Sequence, residues 1–235
     1  MVECDLAKVD VAGSNPVSRS ILFSATNPMK KSFVLLALAA GAAFGQYKME
    51  PAGAPPADVN SAFSALLQKQ GVKILAADGT VYCEVWLRAE APKGPKPSDD
   101  SVTLPFPQGA LLGVIHFPGK AQDRRGQPLQ PGFYTMRYSQ YPVNGDHQGV
   151  APQRDFALLV RLADDSDPAA LPAFDPLVKL SAKASGTPHP AVLSIWSSAS
   201  DKFPNLAMQG EHDWVLDAKC GDLGISIIVA GKVEG

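Results

Sequence analysis

Cysteine is scarce in this chain, three in 235 residues, and histidine nearly as scarce at four. Two cysteines, Cys83 and Cys220, lie beyond residue 45, and neither has a second cysteine or a histidine at zinc-ligand spacing. A disulfide framework is therefore excluded. Two alternatives stay open for the pair: one bridge between Cys83 and Cys220, or two buried thiols that never meet. No run of like charge occurs, and the formal net charge is −2. Nucleic-acid binding needs clustered cations to displace counterions, so no nucleic-acid partner is expected, nor a membrane-surface site. The longest apolar stretch, Phe33 to Phe44, is twelve residues. A helix needs about 20 to cross the hydrocarbon core, so no transmembrane anchor is expected.

That stretch has a context. In "MKKSFVLLALAAGAAFGQ" the lysines Lys30 and Lys31 precede the apolar run, which ends in Ala43, Phe44 and then Gly45 as a small-x-small site. These are the three parts of a secretory signal peptide, placed at 29–45 with cleavage before Gln46 and no lipoprotein cysteine behind it. The product is expected in the periplasm or outside the cell. Residues 1–28 then have no place in front of a signal. Gly13, Ser14, Asn15 and Pro16 can be written GGT TCG AAT CC, which resembles a transfer RNA T-arm translated in frame, so a mis-called upstream start with Met29 as initiator is expected. The remaining 190 residues, with 17 basic and 20 acidic side chains and net charge near −3, are enough for one domain with one core.

Within that domain, 46–56 reads as a flexible Pro/Gly/Ala leader and 57–235 as the folded part. Val59, Ala62, Phe63, Leu66 and Leu67 form one helical stripe, with Asp58 as N-cap and Gly71 as stop. The period then falls to two. Asp78-Gly79 marks a hairpin. After it Val81, Cys83, Val85 and Leu87 share a core face, while Tyr82, Glu84, Trp86 and Arg88 share a wet one. Further strands are expected at 102–106, 110–117, 132–141, 155–162, 191–197, 212–219 and 223–232. A second helix, "FDPLVKLSAKASG", has Asp175 as cap, Pro176 at the first helical position and Gly186 as stop. Many short strands and two short helices predict a mainly β fold, an antiparallel β-sandwich.

The stretch "RGQPLQPGFYTMRYSQYPVNGDHQG", with "EVWLR" before it and "RDFALL" and "HPAVLSI" after it, resembles a family of exported bacterial β-rich proteins of unassigned function. "PGFYTMRY" alone is similar to strand entries of immunoglobulin-like or transthyretin-like sandwiches. The resemblance implies a secreted β-rich domain and no activity, catalytic residue or cofactor.

Chemistry has one candidate location. About twelve residues without periodicity, "PVNGDHQGVAPQRDF", lie between two well-patterned strands and carry Asp146, His147, Arg154 and Asp155. Long loops between strands are disproportionately functional. An acceptor, an imidazole and a guanidinium suit a small anion, a sugar or a metal; His189, held between Pro188 and Pro190, is a further ligand-binding candidate. The competing reading makes Arg154 and Asp155 a structural clamp, and the regular strand that follows favours it. His116 ends an apolar strand, where a backbone partner is expected, and the doublets Asp99-Asp100 and Asp164-Asp165 read as solvated turns. No GxSxG elbow occurs and Cys83 lies on a core face, so nucleophilic catalysis has no support. The expected function is a non-catalytic periplasmic or envelope module that binds a small molecule or an envelope component. The alternative is a metal-dependent or hydrolytic enzyme using the loop around His147.

Overall fold

Alternating apolar residues between glycine-bearing turns build most of the chain as strands. The computed structural model describes residues 46–94, 101–141 and 153–231. The expected signal peptide, the upstream segment, Asp146 and His147 lie outside them. In chain order the strands are β1 (Lys48–Gly53), β2 (Gly71–Leu75), β3 (Val81–Leu87), β4 (Leu111–Phe117), β5 (Ala121–Gln122), β6 (Pro128–Leu129), β7 (Gly132–Gln140), β8 (Asp155–Arg161), β9 (Val192–Ser197), β10 (Asn205–Gln209), β11 (Asp213–Cys220) and β12 (Leu223–Ala230). The helices are α1 (Ser61–Ser64) and α2 (Phe174–Ser185). The Asp78-Gly79 hairpin forms as expected. Gly79 takes φ +82°, and the Asp78 carboxylate accepts from the Thr80 amide at 2.9 Å and hydroxyl at 2.7 Å.

Five local expectations are corrected. Residues 48–53 are not a free leader: β1 pairs antiparallel with β2, and Pro51 is tolerated because β1 is an edge strand. The first helix shrinks to one turn: Asn60, not Asp58, caps it, accepting from the Ala62 and Phe63 amides at 3.1 and 3.3 Å, and by Leu67 the chain has left the helix to bridge Arg88. Its stripe still works, since Val59, Phe63 and Leu67 are buried. Burying a phenylalanine such as Phe63 contributes about 1.5–3 kcal/mol. Gly71 starts β2 instead of stopping a helix, and a Cβ there would collide with the Trp86 indole. The outer face of β3 is therefore dry at Trp86, whose Nε1–H donates to the Gly53 carbonyl at 2.9 Å. Residues 102–106 pack as buried irregular chain, their Thr103 and Leu104 amides bonding a carboxylate instead of a ladder.

Among the described residues ten strands form one antiparallel sheet in the order β1-β2-β3-β4-β7-β8-β9-β12-β11-β10. It is a meander as far as β9, interrupted by the small β5–β6 hairpin. The chain then crosses to the far edge, and β10, β11 and β12 return so that β12 pairs with β9, a Greek-key connection. The sheet is large and nearly closed, with β1 and β10 meeting at its two edges. One core takes side chains from β2 to β12, among them Ile74, Val85, Ile115, Leu216, Ile225 and Ile227. Two satellite cores lie apart from it, one around Phe63 and Trp86, the other where α2 packs Leu177 on Phe156, Leu158 and Val192. Gly186 ends α2 as expected, while its N-cap is Ala173, two residues before Asp175.

Candidate functional site

Where β1 and β10 approach without pairing, contacts from the neighbouring chain link the two sides of the sheet. Tyr47 meets Trp214 edge-on at 5.6 Å between ring centroids. Farther along, the Gly221 backbone amide donates to the Arg88 carbonyl at 3.0 Å, and the Gln68 side-chain Nε2 donates to the Lys219 carbonyl at 2.6 Å. The pairing of β10 with β11 ends at Asn205 opposite Asp217, so Ala218, Lys219 and Cys220 extend past their neighbour. That overhang opens a groove of about 510 Å³, lined chiefly by Met49, Pro51, Val72, Phe203, Pro204 and Ala218. Its volume is in the range of small-molecule sites and its lining is mostly apolar. Lys219 stands at its rim with Nζ 5.7 Å from the Phe203 ring centroid.

The loop singled out by sequence is described only at its base. There Arg154 fastens both ends: its Nε–H donates to the Tyr141 carbonyl at 2.8 Å, and the Tyr141 amide donates to the Arg154 carbonyl at 2.9 Å. Asp155 is fully buried and holds a different segment. Its carboxylate accepts from the Thr103 amide (2.6 Å), the Thr103 hydroxyl (2.7 Å), the Leu104 amide (3.3 Å) and the Tyr138 hydroxyl (2.6 Å). The two residues thus secure separate stretches of chain. His189 is exposed in the turn after α2, its carbonyl accepting from the Ser185 hydroxyl at 2.6 Å. Tyr141 and Pro190, the neighbours of the loop and of His189, line one cavity of about 50 Å³ together with Arg125.

Other polar groups act as pins between segments. Asp123, at the end of β5, accepts from the Gln127 amide and side chain (both 2.8 Å) and from the Val192 amide (3.1 Å), tying the β5–β6 hairpin to β9. Burial lifts its carboxyl above the ordinary value, against the pull of those donors. Asp217 accepts from the hydroxyls of Ser198 (2.7 Å) and Ser226 (2.6 Å). Asp165 is no solvated turn: it is buried and ion-paired with Arg137 on β7. The His116 ring bonds the Glu84 carboxylate at 3.0 Å across the strand pair and stacks on Phe133 at 4.0 Å, so a side chain replaces the expected backbone partner. Among the described residues no three His, Cys, Asp or Glu side chains are grouped to hold a metal ion, and no helix is long and apolar enough to cross a membrane.

Cys83 and Cys220 are free thiols, both fully buried, which is the unbridged of the two alternatives. Burial pushes the Cys83 thiol up and the Cys220 thiol up to about 12, and likewise raises the phenols of Tyr82, Tyr138 and Tyr141. In every case the fold favours the neutral form. Their contribution is complete below the unfolded-state values, about 8.5 for a thiol and 10 for a phenol, and is lost as pH rises through the folded ones. Thermal melts should accordingly hold steady from pH 7 to about 8.5 and fall steeply toward pH 12. A melting temperature unchanged at pH 11 would contradict this burial.

The groove residues escaped sequence reasoning because the seam joins chain near position 50 to chain near 203 and 218, and no local period encodes that contact. Asp165 carried a signal of a kind: Thr135, Arg137 and Ser139 alternate with Tyr134, Met136 and Tyr138, a polar face that needed a cover. No protein-family model matches the chain, and no curated protein or solved structure is detectably similar to it.

Proposed function

We propose that the protein is an exported, non-catalytic binding module of the periplasm or envelope, and that the seam groove is its ligand site. The observation that carries this is the groove itself, a mostly apolar trough kept open by the β11 overhang in an otherwise paired sheet. The pinned carboxylates support it, since Asp123, Asp155, Asp165 and Asp217 spend their acceptors on framework bonds. We further infer a sandwich arrangement, two halves of the curled sheet folded over one core, because Ile74, Val85 and Ile115 share that core with Leu216, Ile225 and Ile227. The signal-peptide pattern and the resemblance to exported bacterial β-rich proteins support export, with the mature chain starting at Gln46. Intact mass of the protein recovered from a Gram-negative periplasm tests that start.

For the groove, an apolar fluorescent probe such as N-phenyl-1-naphthylamine should bind saturably and be displaced by a long-chain fatty acid. Val72→Trp, which fills the trough from a half-buried position, should abolish uptake with little change in melting temperature. Unaltered uptake in that variant would remove the groove from consideration. A second reading, a metal-dependent or hydrolytic enzyme around His147, rests on the sequence of that loop, where Asp146 and His147 stand side by side. Zinc titration of wild type and His147→Ala separates the two, since only that enzyme loses metal uptake on the substitution.

A further inference from the structure

A second pocket lies where β1 begins and the β10–β11 turn ends, away from the seam groove. Its volume is about 680 Å³, and its lining includes Tyr47, Tyr82, Lys120, Gln122 and His212. Tyr82 arrives there through an irregularity in the sheet. Ile74 pairs with Cys83 but Leu75 pairs with Val81, leaving Tyr82 as an extra residue in β3. Simple alternation would set Tyr82 opposite Cys83; the bulge instead brings its ring against Tyr47 at 5.1 Å and Phe117 at 6.0 Å, at the end of the main core. Bulges recur where a strand re-aims one side chain toward a site. Both phenols are raised by burial, so both are neutral hydroxyl donors at ordinary pH.

Among the described lining residues the fixed charge is positive. Lys120 is exposed and has no ion partner among the described residues, and His212 adds a second nitrogen base. The described lining holds no carboxylate. Of the acids alongside, Asp213 is taken by Arg124, and Glu211 reaches the His212 ring only at 3.7 Å, on an exposed side chain. Two aromatic rings with hydroxyl tips, a primary amide, an ammonium and an imidazole form an amphipathic wall that matches a hydroxylated ring bearing a negative charge.

We propose that this pocket binds an acidic sugar, one or two rings of the uronic-acid type, with the carboxylate on Lys120 and the ring against the Tyr47–Tyr82 pair. The site is independent of the seam groove. Isothermal titration of the folded protein with D-glucuronate tests it, with D-glucose as the neutral parent and benzoate as an aromatic acid. Glucuronate should bind saturably and at least tenfold more tightly than either. Lys120→Ala, an exposed substitution that leaves the melting temperature in place, should weaken glucuronate at least tenfold, and Gln122→Ala should weaken it less. The proposal is overturned if glucose matches glucuronate, if benzoate binds and glucuronate does not, if nothing binds, or if Lys120→Ala binds as the wild type does.

Discussion

Asp165→Ala is expected to lower folding stability by about 3–5 kcal/mol, the cost of leaving a buried charge without its partner. Arg137 is 1% exposed and uses all five of its N–H donors. Nε and Nη2 bond the two Asp165 oxygens at 2.6 and 2.7 Å; Nη1 bonds the carbonyls of Gly109 (2.8 Å) and Ala170 (2.7 Å); Nη2 also bonds that of Asp167 (2.6 Å). One guanidinium therefore ties β7 to the chain before β4 and to the irregular stretch before α2. Thr135 adds its hydroxyl to Asp165 at 2.5 Å. Removing the carboxylate strands the guanidinium and that hydroxyl together. The double variant Arg137→Met with Asp165→Leu should be less damaged than Asp165→Ala, because no unpaired charge remains. Urea denaturation of the three proteins measures this. A loss below about 1 kcal/mol in Asp165→Ala would mean the pair is not buried as described.

Asp155→Ala is expected to cost about 3 kcal/mol or more, through a different set of orphans. Two backbone amides, a hydroxyl and a buried phenol would lose one common acceptor, and each unsatisfied buried donor costs about 1–3 kcal/mol before relaxation. Asp155→Asn should recover little, since an amide presents one acceptor oxygen where the carboxylate has two and directs an N–H₂ toward other donors. The segment 102–106, whose Val102, Leu104 and Phe106 are buried, should loosen first. Hydrogen exchange at the Thr103 and Leu104 amides should rise in Asp155→Ala well before global unfolding. Unchanged protection at both would show that the segment is held by its apolar side chains alone.

Both predictions concern carboxylates that the sequence treated differently. Asp155 stood out through its position at the start of a regular strand, but the expected role was a clamp of the loop with Arg154, and it holds Thr103 and Leu104 instead. Its partners were out of reach, because Thr103 lies 52 residues away. Asp165 sat in an acidic doublet that reads as a turn, and nothing nearby shows that Arg137 waits for it across 28 residues. The strands around "PGFYTMRY", "RDFALLV" and the last hairpin were legible because two-residue alternation is local. Strand β1 was not, since Pro51 and Gly53 look like a leader until β2 is present to pair with them. Tyr82 shows the same limit within a well-read strand. Its neighbours keep the period, and only the register against β2 contains the bulge that redirects it.

By itself the sequence determined a mainly antiparallel β domain with two short helices, its turns at Asp78-Gly79 and Gly186, and most of its core faces. These depend on backbone preferences and on the spacing of apolar residues, which act over a few positions. Tertiary structure decided how the sheet curls, where it stays unpaired, and which carboxylates are buried. Each of those is settled by which strands become neighbours, and a groove that residue 49 and residue 218 line together leaves no mark on the residues beside either one.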